Sequence, residues 1–508
     1  MLLSLLIFLP VLFALIVAIV PEKTIRPVSL VLSLFHLALT CVLFYRFDPS
    51  KAGLQLVEKV PWIPTFGVNY FIGIDGISFW LVILSTFLTA ISILASWTAI
   101  QKRVRAFHVC MFLLLTSMFG TFLAMDAILF YVFFETSLIP MYFLIGVWGG
   151  PRRLYATMKF FIYTMAGSLF MLVAIIVLIF MTQEQLGTMS ASLLDFYKLQ
   201  VPFVAGDILS TQTLLFFAFA LAFAIKVPMF PVHTWLPDAH VEAPTAGSVI
   251  LAAIMLKMGT YGFLRFVVPI FPAATEYWAW LFLILGAIGI VYGALMAMVQ
   301  PDFKKLVAYS SVSHMGYVMI GIFALNIIGA TGSYYQMLNH GVSTGALFLL
   351  IGMIYERTHS RQIKEYGGLA KAAPIYAIAF LIVTFSSIAV PLTNGFVGEF
   401  LVLLGTFQAN KAITGVAVLG VILGAVYMLW MVKRIFFGER GEILGHYEHE
   451  SLDIGVREIV VMVPFVILIF WMGVFPNDFL GWSKASLDNL IQNRNHYELH
   501  IEDVMAAE

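Results

Sequence analysis

Six side chains able to carry a proton lie where lipid should exclude them. Glu135, Lys226, Lys257, His314, His340 and Glu399 each sit inside an apolar run. An ionisable group at bilayer depth is costly unless it faces a partner or water, so such groups mark ion or proton pathways. The two lysines belong to one stretch, Leu221–Phe266 (LAFAIKVPMFPVHTWLPDAHVEAPTAGSVILAAIMLKMGTYGFLRF), apolar enough for two membrane helices. Pro228 and Pro231 follow Lys226 closely, and proline removes a backbone donor and clashes with the preceding turn. A helix here must kink or break, which a membrane tolerates only where protein or a water-filled cavity satisfies the freed backbone.

Glu135 lies eight residues after Ala127, near mid-depth at about 1.5 Å per residue. A nearby cation would hold it ionised, and Lys226 is the expected partner; such a pair titrates as a unit and passes a proton when pulled apart. The competing readings are a packing ion pair for Glu135 and lysines that snorkel to the surface. His314 (AYSSVSHMGYV) and His340 (YYQMLNHGVSTG) suit a proton relay. They also fit buried histidines bonded to a neighbouring helix, or haem ligands detectable by a Soret band. Glu399 follows a break at Pro391 as Lys226 precedes one at Pro228, which makes it a second switchable site or an interfacial carboxylate. Ser310, Ser311, Ser313, Ser343 and Thr344 could hold water along the route or pack helices. His446, Glu448, His449 and Glu450 form a loop cluster whose spacing matches no defined metal site. Asp75, Asp126 and Asp238 read as caps or loop residues. Cys41 and Cys110 lie in separate apolar segments, which argues against a Cys-ligated cluster or zinc site.

The elements that position these residues are membrane helices. With 508 residues, 61% hydrophobic, 11% charged and a mean hydropathy of +0.96, the chain is a polytopic membrane protein. Its balanced charge offers no basic face for nucleic acid, and its environment is the lipid bilayer. The fold class is all-α integral membrane, with about fourteen spans. They are Leu2–Val20, Val28–Phe47, Ile77–Trp97, Phe107–Leu123, Ala127–Trp148, Lys159–Met181 and Leu214–Leu236. The remainder are Gly247–Pro269, Tyr277–Val299, Leu306–Leu325, Tyr334–Tyr355, Ile375–Gln408, Ala412–Phe436 and Arg457–Phe475. The first lacks a basic n-region and a small-residue cleavage site and reads as a retained helix. The twelfth, with Pro391, Asn394 and Gly395, should be interrupted like the seventh.

Three ordered matches suggest an internal repeat: Tyr142–Gly146 with Tyr317–Gly321, Gly167–Val173 with Gly345–Ile351, and Val227-Pro228 with Val390-Pro391. The matching spans are five apart, so equivalent helices run in opposite directions, as in inverted-repeat transporters. The domains expected are 1–106 (three helices), 107–276 and 277–436 (two inverted five-helix repeats, each with a discontinuous helix), and 437–508. Loops after odd-numbered spans hold most of the loop Lys and Arg, among them Lys102, Arg103, Arg105, Arg152, Arg153 and Arg357. By the positive-inside rule these loops face the cytoplasm and both termini face outward.

FFETSLIPMYFLIGVWGG, KFFIYTMAGSLFMLVAI, KVPMFPVHTWLPDAHVEAPTAGSVILAAIMLKMGTYGFLRF, AYSSVSHMGYV and PLTNGFVGEF resemble the antiporter-like subunits of proton-pumping NADH:quinone oxidoreductase, respiratory complex I. PWIPTFGVNYFIGIDGIS, REIVVMVPFVILIFWMGVFPNDF and the glutamate at Glu399 are similar to the subunit M (chain 4) branch. The resemblance implies fourteen helices, two inverted five-helix repeats and a hydrated axis at the membrane midplane. It implies Glu135 and Lys226 as the Glu–Lys pair, Lys257 as the central lysine, His314 and His340 as relays, and Glu399 as the outward-side site. It implies no cofactor on this chain: flavin, iron–sulfur clusters and quinone belong to partner subunits. The partners implied are other membrane-arm subunits, sister antiporter-like chains among them, in a bacterial-type inner (plasma) membrane. A multi-subunit Na⁺/H⁺ antiporter, a membrane-bound hydrogenase and a purely structural scaffold are the alternatives.

Overall fold

The computed structural model describes residues 1–445 and 452–502, so the His446–Glu450 cluster lies outside the described residues. Helices α1 (Leu2–Ile19) and α2 (Ile25–Thr40) lead to an antiparallel hairpin, β1 (Gln55–Ile63) and β2 (Val68–Ile74). This two-stranded hairpin is a small addition to a fold that is otherwise helical, as expected. Its turn uses Gly67 at φ +64°, and a Cβ there would run into Met189 O. It is tied to the membrane part by Glu58, which pairs with the Met1 amino group, and by an Ile72–Ala124 bridge.

Then come α3 (Gly76–Ala99), α4 (Val104–Leu123), α5 (Ala127–Thr136), α6 (Leu138–Trp148) and α7 (Arg153–Leu186). Asp75 caps α3 and Asp126 caps α5, each accepting two backbone N–H groups through its side chain. Next, α8 (Thr211–Lys226) stops at the first lysine, eight irregular residues follow, and α9 (Trp235–Glu242) resumes. Pro228 and Pro231 explain the stop, and Trp235 Nε1 donates to Ile225 O at 2.9 Å, satisfying a carbonyl the break frees.

Helix α10 (Thr245–Ile270) is buried along its whole length and contains two π-helical stretches, Leu251–Met255 and Phe263–Val267. It is followed by α11 (Pro272–Met298), α12 (Phe303–Phe323) and α13 (Ile327–Thr358). The second break separates α14 (Pro374–Ser387) from α15 (Asn394–Ala409), before α16 (Lys411–Phe436) and α17 (Val456–Val474). Within it Ala389 and Leu392 adopt φ of 57° and 74°, a left-handed conformation costing about 1–2 kcal/mol each. From Asn477 the chain forms an amphipathic helix, α18 (Asn477–Gln492), against α3 and α13.

Among the described residues twelve helices are long and apolar enough to cross a membrane, and shorter apolar helices, α8 and α14, mark the two interrupted positions. Helices α10 and α13, buried all round, form the centre, with α12 beside them; α1, α2, α16 and α17 leave most of their surface for lipid or partners. Close approach in that centre relies on small residues. Gly398 abuts Gln336 and Asn339, and Gly405 abuts the backbone of Gly329.

Candidate functional site

Four buried titratable side chains from α10, α13, α12 and α15 line up as a polar file. Lys257 projects from the α-helical turn following the first π stretch of α10, where Nζ donates to Ala252 O at 2.7 Å and lies 2.6 Å from His340 Nδ1 on α13. An ammonium has no acceptor, so facing Lys⁺ the His340 Nδ1 is the accepting nitrogen and Nε2 carries the proton. The rings of His340 and His314 are 5.9 Å apart. His314 Nδ1, on α12, lies 3.1 Å from Glu399 Oε1, on α15 just past the second break, and the same oxygen accepts from Gln336 Nε2 at 3.2 Å. A small cavity lined by His314, His340, Asn339, Ser343, Thr344 and Ser386 lies along this file. Ser343, Ser386 and Asn394 bond one another on its wall, which answers for Ser343. Ser310, Ser311 and Ser313 instead donate to backbone carbonyls of their own or the neighbouring helix.

Lys226 and Glu135 form a second group. Lys226 is buried at the C-terminal end of α8; its Nζ donates weakly to Ser137 Oγ at 3.4 Å and lies 4.7 Å over the Phe134 ring. Glu135 is on the turn before, with Oε1 buried and without a hydrogen-bond partner. Lys226 Nζ bonds Ser137 while Glu135 Oε1 is left without a partner, so the two charges sit within electrostatic reach of each other rather than in a hydrogen-bonded ion pair through that oxygen. The joint between α5 and α6 at Ser137 accounts for this, because it brings Ser137 rather than Glu135 under the ammonium.

Four further groups escaped sequence reading. His240 on α9 is fully buried, stacked on Phe348, with neither ring nitrogen bonded, within electrostatic reach of Lys257 and Lys304. Lys304, two residues past the Asp302 cap of α12, is buried and donates to Ala243 O at 2.6 Å. Asp238 is neither cap nor loop: it pairs with Lys159 of α7 at 2.7 Å from inside α9. Asp75, besides capping α3, pairs with Arg265 at 2.6 Å. Glu242, Lys304, Glu356, His359 and Arg361 line a mouth of about 490 Å³ at the beginning of α10. One signal was available in advance: PDAHVEAP places Asp238, His240 and Glu242 at every second position beside a broken helix.

Residues 124–424 match the family model described as NADH:quinone oxidoreductase/Mrp antiporter, TM, and residues 2–121 match NADH-ubiquinone oxidoreductase chain 4, amino terminus. NADH-quinone oxidoreductase subunit M of Rhodobacter capsulatus is 45% identical over 507 residues, covering 97% of this chain and 96% of that one. The chain belongs to the subunit M (chain 4) family of NADH:quinone oxidoreductase. Chain 4 of Marchantia polymorpha is 43% identical over 97% of both chains. A chain of respiratory complex I from Thermus thermophilus superposes with a TM-score of 0.85 at 32% identity, covering 97% of this chain and all of that one. A chain of the Mrp complex from Dietzia shares the fold, with a TM-score of 0.82 at 21% identity over 98% and 99% of the two chains. This subunit M-family chain is therefore a multi-pass, proton-translocating membrane subunit of complex I, assembled with membrane-arm partners. No group of three or more His, Cys, Asp or Glu that could hold a metal occurs among the described residues.

Proposed function

We propose that this subunit carries protons across the membrane along Lys257, His340, His314 and Glu399, with the Glu135–Lys226 group as the switch. The observation that carries this reading is the file itself: four titratable side chains from α10, α13, α12 and α15 in succession, all four buried. Protons enter from the mouth beside Glu242 and Lys304 and load Lys257, with His240 as the nearest buried acceptor on the way. They then pass through the histidines and the small cavity to Glu399 and leave on the opposite side.

Lys226 next to a half-buried carboxylate supplies the control. Drawing Glu135 towards Lys226 favours the protonated lysine, and withdrawing it favours release; a charge shift in a neighbouring subunit during quinone reduction would move the pair between these states. The flavin, iron–sulfur clusters and quinone belong to partner subunits, and sister antiporter-like chains flank this one. The mouth faces the cytoplasm of a bacterial-type inner membrane, both termini face outward, and residues 107–276 and 277–436 are the two inverted repeats.

Replacing Glu135 or Lys257 by alanine in the intact complex should cut NADH oxidation and proton translocation together while the complex persists. Unchanged rate and stoichiometry in either variant would remove that residue from the path.

A further inference from the structure

Asp75 and Arg265 are buried charges that the proton file does not use. Arg265 lies in the second π stretch of α10, eight residues beyond Lys257 and at the opposite end of the helix from the polar mouth. Its Nη2 donates to Asp75 Oδ2 at 2.6 Å, and the side chains are 1% and 0% exposed. Four tyrosines surround the pair: Tyr261, Tyr197, Tyr334 and Tyr497, the last with a buried hydroxyl that has no hydrogen-bond partner among the described residues. Tyr261 OH accepts from Arg265 Nε at 3.2 Å and donates to Phe122 O, Tyr197 OH donates to Arg265 O, and Tyr334 OH donates to Gly76 O. The hydroxyls of Tyr261, Tyr197 and Tyr334 each spend their proton on a backbone carbonyl, and none of these three passes it to another. A proton wire needs groups that can both give and take; a guanidinium cannot give, because it keeps its proton at any working pH. A fixed arginine at a constriction repels protons and other cations.

Resting on the pump reading above, we propose that the Asp75–Arg265 pair is a proton barrier. It closes the far end of α10 beyond Lys257, so that a proton loaded there can leave only through His340, His314 and Glu399. The aspartate holds the cation in place and offsets the penalty of burying it; the cation is the barrier. At about 12 Å from Lys257, eight residues at about 1.5 Å each, and an effective dielectric of about 20, loss of the cation with Asp75 left ionised raises proton occupancy about tenfold.

The test is passive proton conductance of vesicles holding the whole complex, read with an internal pH dye after a pH jump and without NADH. Arg265→Gln should speed gradient decay per assembled complex about tenfold, whereas Asp75→Asn, which keeps the cation, should stay as tight as wild type. Should Arg265→Gln fail to assemble, the paired Asp75→Asn/Arg265→Gln variant leaves no lone buried charge. Its net charge equals that of wild type, so the tenfold electrostatic gain is absent, but with no fixed guanidinium at the site its gradient should still decay faster than in wild type. A gradient held as long as in wild type by either variant lacking Arg265 overturns the proposal. Equal leaks in Arg265→Gln and Asp75→Asn overturn it too, because they trace the effect to packing. Lys257→Ala should pump less and leak no more, so failure of the pump reading shows there and leaves the leak comparison standing.

Discussion

Lysine 257 offers the sharpest separation between a residue that must be positive and one that must lose and regain a proton. Its ammonium donates to Ala252 O at 2.7 Å and meets His340 Nδ1 at 2.6 Å, and it is fully buried. Arginine would keep the charge and the donors but cannot release a proton. If position 257 serves only to hold a charge, Lys257→Arg pumps; if it hands protons to His340, Lys257→Arg fails as completely as Lys257→Ala. A charge-assisted bond at this contact is worth about 1.5–3 kcal/mol. Losing transfer through it therefore slows each proton by about 10- to 150-fold. The longer side chain in a packed interior costs about 1–3 kcal/mol, which lowers the amount of complex rather than the rate of each one. Inside-out vesicles, with NADH-driven acidification and quinone reduction normalised to assembled complex, measure both quantities. Acidification by Lys257→Arg at the wild-type rate would refute the relay and leave this lysine a fixed counter-charge.

Glu399→Gln keeps an oxygen for Gln336 Nε2 but cannot take up a proton or pair with a protonated His314, so pumping should fall about tenfold or more with assembly intact. Native-gel quantification with the same acidification assay checks it, and wild-type pumping would exclude Glu399. Gly405→Ala places a Cβ 2.3 Å from Gly329 N and 2.4 Å from its Cα, forcing α15 off α13 at about 1–3 kcal/mol. Reduced subunit level in membranes is the expected outcome, and an unchanged level would show that the helices part freely. Burial lifts the Asp126 carboxyl from 3.8 to about 6 against the backbone N–H bonds of Asn69, Leu129 and Ile128, which pull it down. The folded state then binds the extra proton, so stability falls as pH rises from about 4 to about 6, by about 3 kcal/mol in all. Hydrogen exchange of residues 68–74, corrected for the intrinsic rate, should lose protection over that range in wild type and not in Asp126→Asn; parallel profiles would disprove the linkage.

What the sequence makes legible here follows from how loudly lipid penalises an exception. A lysine, glutamate or histidine in a twenty-residue apolar run stands out by composition, and proline beside it announces a break, so the six residues and both interrupted helices could be named in advance. Groups whose meaning depends on distant partners could not. Arg265 sits near the end of its helix and reads as an interfacial cation; only Asp75, 190 residues earlier, makes it a buried charge pair. Lys304 follows a helix cap and reads as a loop charge, while in space it reaches under Ala243. The hairpin was hidden by Pro61, Pro64 and the charged Glu58-Lys59, which locally argue against a strand; its pairing and its seat on Asp126 are nonlocal. The π stretches of α10 have no residue-type signature at all.

The two breaks place opposite charges at opposite kinds of helix end, and this gives the path a direction. Lys226 is the last residue of α8, where exposed carbonyls favour a cation; Glu399 lies in the second turn of α15, near the free N–H groups that favour an anion. Each preference is worth only about 0.3–1 kcal/mol at a surface, and more where water is excluded. Lys257, by contrast, sits within a continuous helix whose two π stretches leave it no terminus, and its support is a single carbonyl and a histidine that can itself take the proton. It is the least committed of the three charges and the one with an acceptor already in contact. A proton leaving it towards His340 would end on a carboxylate whose helix end favours the anion, so that end assists release from Glu399 rather than retention there. On the proposed path these helix ends favour a loaded Lys226 at one break and an emptied Glu399 at the other. Loading Glu399 therefore needs a change in the charges around it, for which the Glu135–Lys226 joint is the place where a partner subunit would act.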